Sequence, residues 1–252
     1  LPKCQMLCIE IMRQIEHLIG IEDVKLAVPI QYRAKKWDSI YNKLSEGRFN
    51  IKNDISELQD LAGLRIITLF QRDALKTASL VEQQFKLIKK YRTEDKLGDD
   101  QFGYSSIHMI IEVPAEWRSV PTLSNLVGMK VEIQIQTLSQ HSWAEASKVL
   151  QYKQEENVPK PLKRSIGRIS ALLETVDLEL ERLLKDREEY IGSIQKTTTV
   201  SRRLNVDLLN QLLLASLPES NSSKEDDTAV LLENLIALGY DTSDKVSNLI
   251  SR

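Results

Sequence analysis

The sequence contains few of the residues that mark metal-binding and disulfide-rich proteins. Cysteine occurs only at Cys4 and Cys8, and the chain has three histidines. A spacing of four residues puts both cysteines on one face of a helix, and no Cys/His cluster elsewhere could complete a zinc site. We therefore expect two small core-facing residues in a reducing compartment.

Long apolar runs and a strong net charge are also absent. A run such as residues 212–215 is far too short to span a membrane, and the first residues lack a signal-peptide pattern, so we expect a cytoplasmic protein without a membrane partner. The formal net charge of −2 gives no bulk field that would attract nucleic acid or a membrane surface. Any anion must therefore be bound by a local cluster of cations.

Apolar periodicity predicts an α/β (α+β) protein. Helical spacing predicts helices over residues 5–19, 71–89, 137–153, from 161 onward and 228–250 with a break at Gly239, and Asp38 and Asp54 are expected to begin two shorter ones. Apolar, partly β-branched runs predict strands over residues 63–69, 106–113 and 129–135. The apolar stripe of the helix after residue 161 is interpreted as core.

These elements group into four predicted parts. They are an N-terminal helix over 1–19, a core over 20–155, a long helix over 156–200 that packs on the core, and a helical tail over 201–252 with a linker near 218–227. The linker is predicted because that segment is polar, charged and free of apolar anchors.

The first candidate site is a group of cations around a predicted helix start. Arg33 and Lys35 precede that helix, and Ser39 and Lys43 lie four residues apart on one of its faces. Cations and a hydroxyl near a helix N-terminus suit a polyphosphate. A solvated basic face explains the same pattern, and the pattern alone leaves both interpretations open.

Three further segments carry candidate site residues at strand boundaries or on a strand. Asp60 leads into the first predicted strand, where a carboxylate could hold Mg²⁺, and Arg65 on that strand could stack on a base. Tyr104, after a glycine, could offer a ring to a base. Glu132 shares one strand face with Gln134 and Gln136, which suits a metal ligand or a general base. A helix cap, a surface arginine, a core tyrosine and a solvent-facing polar row are the alternatives.

Taken together and in this order, the segments resemble one family. RAKKWDSIYNKL, DLAGLRII, FGYSSIH and VEIQIQT resemble the successive R-x-K-x-x-x-S-I-x-x-K, D-[IL]-x-[AG]-[IL]-R, G-Y-x-S-[IL]-H and E-[IV]-Q-[IV]-R-T segments of RelA/SpoT synthetase domains. LSQHSWAEASKVLQYK and PLKRSIGRISALLETVDLEL are similar to helices of the stand-alone small alarmone synthetases. The resemblance covers residues 20–190.

The resemblance implies a nucleotidyltransferase-like mixed β-sheet flanked by helices, with a helical C-terminal extension. It implies a pyrophosphokinase that transfers the β,γ-pyrophosphate of ATP to the 3′-hydroxyl of GDP or GTP, with Mg²⁺ as cofactor. Asp60 and Glu132 match the catalytic and metal-binding acids. The ATP-binding positions are Arg33, Lys35, Ser39, Lys43 and Arg65, and the acceptor-binding positions are Tyr104, His108, Gln134 and His141.

Several departures from the family pattern keep alternatives open. Ser105 and Gln136 stand where relatives carry arginine, residues 146–149 read ASKV in place of I-E-H-D, and Asp99 and Asp100 make the acceptor loop acidic. Repulsion between those aspartates and a polyphosphate would weaken its binding. The alternatives are a toxic small alarmone synthetase that uses the tRNA 3′ end or an adenosine nucleotide as acceptor, and a degenerate nucleotide-binding or interaction protein. A homo-oligomer or an antitoxin-like protein partner is expected to use the C-terminal helices.

Overall fold

A computed structural model describes residues 2–35, 61–93, 105–150, 159–196, 201–218 and 227–250. The helices predicted from Asp38 and Asp54 and nearly all of the predicted linker lie outside these ranges. The chain divides into two compact units, Leu1–Glu181 and Arg182–Arg252. The boundaries of the four predicted parts stay predictions.

The first unit is built on a mixed five-stranded sheet. Its strands are β1 (Gln31–Ala34), β2 (Ala62–Thr68), β3 (Lys86–Arg92), β4 (Ile107–Glu112) and β5 (Lys130–Thr137), in the order β1-β2-β5-β4-β3. The central pair β2–β5 is parallel, and the other three pairs are antiparallel. The prediction of a mixed sheet flanked by helices is therefore confirmed.

Seven α-helices occur in the described part of the chain. They are α1 (Pro2–Ile21), α2 (Gln71–Gln84), α3 (Leu138–Leu150), α4 (Lys160–Lys196), α5 (Val206–Ser216), α6 (Thr228–Ala237) and α7 (Ser243–Ile250). Two short 3₁₀ helices, Ala115–Ser119 and Ser124–Leu126, lie between β4 and β5. None of the described helices is both long enough and apolar enough to cross a membrane.

The hydrophobic core lies on one face of the sheet, under α1 and α2. Leu7 and Ile11 of α1 are completely buried against strand residues such as Met109 and Ile133. Cys8 is fully buried in the same cluster and Cys4 packs against it, as expected. Burial raises the pKa of the Cys8 thiol. On β5, Val131, Ile133 and Ile135 alternate with Glu132 and Gln134, so the opposite face of the sheet carries polar side chains.

The helix predicted over residues 71–89 is wrong at its C-terminal end. Helix α2 ends at Gln84, and Lys86–Arg92 form the edge strand β3, paired with β4. The apolar residues of this segment fit a helical period as well as a strand. A register shift between Leu87 and Lys89 also removes the alternation that would have indicated an edge strand.

The stripe of α4 that was interpreted as core is largely exposed. Ile169, Val176 and Leu183 are 43%, 46% and 57% exposed. The side chains that α4 buries most are instead polar, Ser170 and Asp177. Periodicity predicted the helix correctly, but it could not show which side of the helix meets the protein.

The second unit has a small core of its own. Leu204, Leu208, Leu209 and Val246 are buried between α5, α6 and α7. The predicted break at Gly239 is confirmed, because this glycine has a φ of 86° and separates α6 from α7.

Candidate active site

The face of the sheet opposite α1 and α2 carries two rows of side chains in register. The first row crosses all five strands and consists of Gln31, Arg65, Gln134, His108 and Tyr91. Residues paired across strands point to the same face, so these five side chains are neighbours although they are far apart in sequence. The row ends in a ring pair, since Tyr91 and His108 stack with their centroids 4.8 Å apart and their planes at 14°.

The second row lies two residues further along each strand. It consists of Arg33, Gly63, Glu132, Ile110 and Lys89. Gly63 has no side chain, so the space between Arg33 and Glu132 stays open. The two rows together place a cation from each of β1 and β2 beside a carboxylate on β5.

Glu132 is held by a histidine from the neighbouring strand. His108 Nδ1 lies 3.0 Å from Glu132 Oε1, and both side chains are mostly buried. The Nδ1–H of His108 can donate to this carboxylate, which leaves Nε2 as the second polar atom of the ring. Nε2 is buried and has no hydrogen-bond partner among the described residues. A buried nitrogen without a partner is costly, so it marks a place for a polar group of a ligand.

Helix α3 follows β5 directly and lies along one side of the sheet face that carries the two rows. His141, Glu145 and Lys148 are spaced at i, i+4 and i+7, so they lie along one helix face. Glu145 Oε1 accepts from Arg65 Nη1 at 3.1 Å and from Lys148 Nζ at 2.6 Å. The hydrogen bond from Lys148 is the main reason why the pKa of Glu145 is lowered.

His141 is fixed by a buried amide. Gln136 Nε2 donates to His141 Nδ1 at 2.9 Å, so the neutral ring carries its proton on Nε2. Burial, and then the cations Arg65 and Lys148, hold the pKa of His141 below its usual range, although Glu145 opposes them. Gln136, which replaces the arginine of the family pattern, therefore selects one tautomer of His141.

Removing the charge of Lys148 should raise the pKa of His141. Lys148→Met deletes one of the cations that disfavour the imidazolium, and it leaves Glu145, which favours that form, paired with Arg65 alone. His141 should then protonate at a higher pH than in wild type, which histidine-specific NMR titration measures. Lys3→Met, on α1 beneath the opposite sheet face, is the control. An unchanged midpoint in Lys148→Met would contradict the electrostatic argument.

The members of the two rows on β1, β2 and β5, together with α3, line a cavity of about 410 Å³. It is lined by Gln31, Tyr32, Arg33, Gly63, Leu64, Arg65, Glu132, Gln134, Glu145 and Lys148. A volume of this order falls in the range of small-molecule sites. The lining contains three cations and two carboxylates, which suits a polyanion and a cation bound together.

The structure brings together part of the predicted site. Arg33, Arg65, Glu132 and Gln134 line the cavity, and His108 contacts Glu132. His141 lies within the same electrostatic group as Arg65. Lys35 directly follows β1 and is buried, and its N–H donates to Leu61 O at 2.9 Å. Ser39, Lys43, Asp60 and Tyr104 lie outside the described residues, so their predicted roles stay predictions.

The predicted Mg²⁺ site fits the described residues in part. Glu132 supplies one oxygen donor, and Gly63, three residues after Asp60 in the sequence, pairs with Glu132 across the sheet. Within the described ranges, no group of three or more His, Cys, Asp or Glu could hold a metal. Mg²⁺ is usually held by one or two protein carboxylates together with substrate phosphates, so this donor set suits it.

Sequence reasoning missed several cavity residues. Gln31 belongs to β1, whose residues were interpreted only as cations before a helix, and Glu145 lay within a helix motif without an assigned role. Lys148 was noted as a departure from the family pattern and not as a lining residue. The i, i+4, i+7 spacing with His141 was the signal that could have identified both α3 residues.

Comparisons with known proteins agree with this fold. Residues 32–157, half of the chain, match the family described as "Region found in RelA / SpoT proteins". The chain therefore belongs to the RelA/SpoT family, and the resemblance stated from the sequence is confirmed.

Similar proteins include GTP pyrophosphokinases and small alarmone synthetases. GTP pyrophosphokinase YwaC of Bacillus subtilis (strain 168) is 31% identical over 171 residues, which are 64% of this chain and 75% of the relative. GTP pyrophosphokinase YjbM of the same organism is 29% identical over 168 residues, with the same shares. The crystal structure of small alarmone synthetase 1 from Bacillus subtilis has the same fold, with a TM-score of 0.61 at 24% identity over 75% of this chain and 96% of that one. The same synthetase bound to its product pppGpp aligns with a TM-score of 0.58 at 25% identity, over 73% and 94% of the two chains.

Proposed function

We propose that this chain is a pyrophosphokinase that transfers the β,γ-pyrophosphate of ATP to the 3′-hydroxyl of GDP or GTP. The observation that carries the proposal is the His108–Glu132 pair at 3.0 Å in the same rows as Arg33 and Arg65. A held carboxylate beside two guanidiniums is the arrangement that a general base and a triphosphate donor require.

The donor side of the proposal rests on the spacing of two arginines. Arg33 pairs with Gly63, so Arg65 is its diagonal neighbour on the next strand. Diagonal neighbours on an antiparallel pair lie about 7–8 Å apart. A flat base stacked between two guanidiniums needs about 3.5 Å on each side, so adenine fits between them. Arg65 must leave Glu145 to do so, and Lys148 remains to pair with that carboxylate.

The acceptor side rests on two histidines and a glutamine. Gln134 lies between Arg65 and His108 in the first row, where donor and acceptor would meet. His108 Nε2, which has no partner among the described residues, can make a hydrogen bond to the acceptor nucleotide, and His141 Nε2–H can donate to it. Two rings that are held by Glu132 and Gln136 favour one orientation of the bound nucleotide.

Glu132 is proposed to take the proton from the 3′-hydroxyl as it attacks the β-phosphorus of ATP. The bond from O3′ to that phosphorus forms, the bond from it to the oxygen of the α-phosphate breaks, and AMP leaves. His108 orients the carboxylate for this step. A bound Mg²⁺, held by Glu132 and Asp60, would neutralise charge on the phosphates.

The acceptor is proposed from the relatives and from the cavity. YwaC and YjbM are GTP pyrophosphokinases, and small alarmone synthetase 1 has pppGpp as its product. In the cavity, Gln134 lies beside the proposed base and offers an amide to that acceptor.

Transfer of label from ATP tests the proposal. Purified protein with Mg²⁺ and γ-³²P-ATP is offered GDP, GTP, an adenosine nucleotide or deacylated tRNA in separate reactions. We expect label on the guanosine nucleotide and one AMP released for each label transferred. Label only on tRNA or on an adenosine nucleotide would overturn the assigned acceptor. ATP binding without AMP release in any reaction would indicate a non-catalytic protein.

A further inference from the structure

The part of helix α4 that belongs to the first unit makes polar contacts with the rest of that unit. Of its described side chains before residue 182, the two most buried are Ser170 at 5% exposed and Asp177 at 3%, whereas Leu172 is 59% exposed. Burying a carboxylate costs free energy that an apolar residue would not cost. The position of Asp177 therefore needs an explanation other than apolar packing.

Asp177 binds the junction between β5 and α3. Its Oδ2 accepts from Thr137 Oγ1 at 2.6 Å, and both residues are buried. Desolvation raises the pKa of Asp177, and the hydroxyls of Thr137 and Ser139 offset part of that rise. Its Oδ1 is buried without a hydrogen-bond partner in the described part of the chain. The carboxylate is therefore held mainly by hydroxyl groups where α3 begins.

Thr137 is also the cap of α3. Its Oγ1 accepts from the N–H of Gln140 at 3.2 Å, and Gln140 Oε1 accepts from the N–H of Thr137 at 2.9 Å. This reciprocal pair is a capping box, which satisfies two helix-terminal donors at once. Because Asp177 accepts the proton of the capping hydroxyl, it fixes which way that hydroxyl points.

A second carboxylate one turn along α4 makes a similar contact. Glu181 Oε2 accepts from the N–H of Arg72 at 3.3 Å, in the first turn of α2. Helices α2 and α3 follow β2 and β5, the parallel central pair, so both begin at the same edge of the sheet. Two acids at i and i+4 of α4 thus meet the N-termini of two helices, where negative charge is favoured.

We propose that Asp177 is a positioning residue that sets the placement of α3 over the cavity. His141, four residues after Thr137, and Glu145 and Lys148 beyond it are carried on that helix. Loss of the Asp177–Thr137 contact frees the first turn of α3 and shifts all three side chains relative to Arg65 and Glu132. The activity readout below rests on the proposed function, and the spectroscopic one does not.

Two pairs of variants separate geometry from stability. Asp177→Asn and Thr137→Ser keep the hydrogen bond, whereas Asp177→Leu and Thr137→Val remove it. Valine has nearly the volume of threonine, but it also removes the hydroxyl that accepts from the N–H of Gln140. The readouts are the melting temperature, the ring signals of His141 by histidine-specific NMR, and kcat and KM with ATP and GTP. Only three histidines occur in the chain, so the signals are readily assigned.

We expect the two conservative variants to match wild type in the His141 signals and in kcat. Asp177→Asn should be at least as stable as wild type at neutral pH, because it removes a buried charge. Asp177→Leu and Thr137→Val should shift the His141 signals and lower kcat about 10- to 100-fold, because a small misplacement of catalytic groups has effects of that order. The KM for ATP should change little, since the donor side lies on β1 and β2.

Glu181→Gln is the matched control, because it changes the neighbouring acid of the same helix but not the contact with α3. Its His141 signals should match those of wild type. If Asp177→Leu lowers the melting temperature but leaves the His141 signals and kcat unchanged, Asp177 only stabilises the fold and the proposal is wrong. If Asp177→Leu does not fold, Asp177→Ala decides by the same criteria, because it removes the carboxylate without added bulk and keeps the cap between Thr137 and Gln140. If wild type transfers no pyrophosphate, the proposed function fails while the His141 signals still decide the positioning role.

Discussion

Replacing Glu132 by Gln is expected to lower kcat for pyrophosphate transfer by about 10²–10⁴-fold, the usual contribution of a general base. The amide keeps the shape of the side chain and can still contact His108, but it cannot take a proton or bind a metal as an anion. Because the side chain lies on the polar face of the sheet and not in the core, the melting temperature should stay near that of wild type. Initial rates of AMP release and thermal unfolding measure both quantities.

Two further variants serve as a control and a comparison for Glu132→Gln. Glu112→Gln, on β4, removes an exposed pair with Lys86, which contributes below about 1 kcal/mol to stability, and should leave kcat unchanged. Asp60→Asn should resemble Glu132→Gln if the two acids hold one metal ion. Near-normal turnover in Glu132→Gln would show that this carboxylate is not the base.

The central strands could be predicted from the sequence because each of them is a short, mostly apolar run. Strands β2, β4 and β5 carry runs such as Ile107–Glu112, which are buried along nearly their whole length. A buried run that is short and bounded by turn residues fits a strand better than a helix. The polar alternation at Glu132 and Gln134 in turn predicted which face of β5 would carry the site.

The edge strands were not predictable in the same way. An edge strand is paired on one side only, so its side chains are mostly exposed, and residues 86–90 of β3 show no alternation in burial. Strand β1 has four residues and exposes three of them. In both strands the conformation depends on hydrogen bonds to a neighbour that is distant in sequence, and local periodicity does not contain that information.

For the candidate site, the sequence suggested individual residues but not the contacts between them. Resemblance to the family suggested His108 and Glu132 as separate residues with separate roles. Their hydrogen bond depends on the register between β4 and β5, in which His108 pairs with Gln134 and is thus a diagonal neighbour of Glu132. The contact of Asp177 with Thr137, 40 residues apart, likewise depends on tertiary packing.

Replacing Gly63 by valine is expected to reduce kcat/KM about 10²-fold or more without unfolding the protein. Gly63 lies between Arg33 and Glu132 in the second row and leaves the floor of the cavity open. A Cβ there would be 3.8 Å from Arg33 O and 3.8 Å from Glu132 O, which is ordinary contact. The backbone is not left-handed at this glycine, so a β-branched residue suits the strand.

Gly63→Val would place two methyl groups between Arg33 and the proposed base Glu132, in the space that ATP would cross between its adenine and its β-phosphate. Gly63→Ala adds one carbon and should have a smaller effect, so the series is graded by volume at one position. Calorimetry with ATP and steady-state rates at saturating ATP separate lost binding from lost turnover, and the melting temperature reports the fold. If Gly63→Val binds ATP and turns over as wild type does, then substrates do not occupy the space between Arg33 and Glu132, and the site proposed on this face of the sheet is wrong.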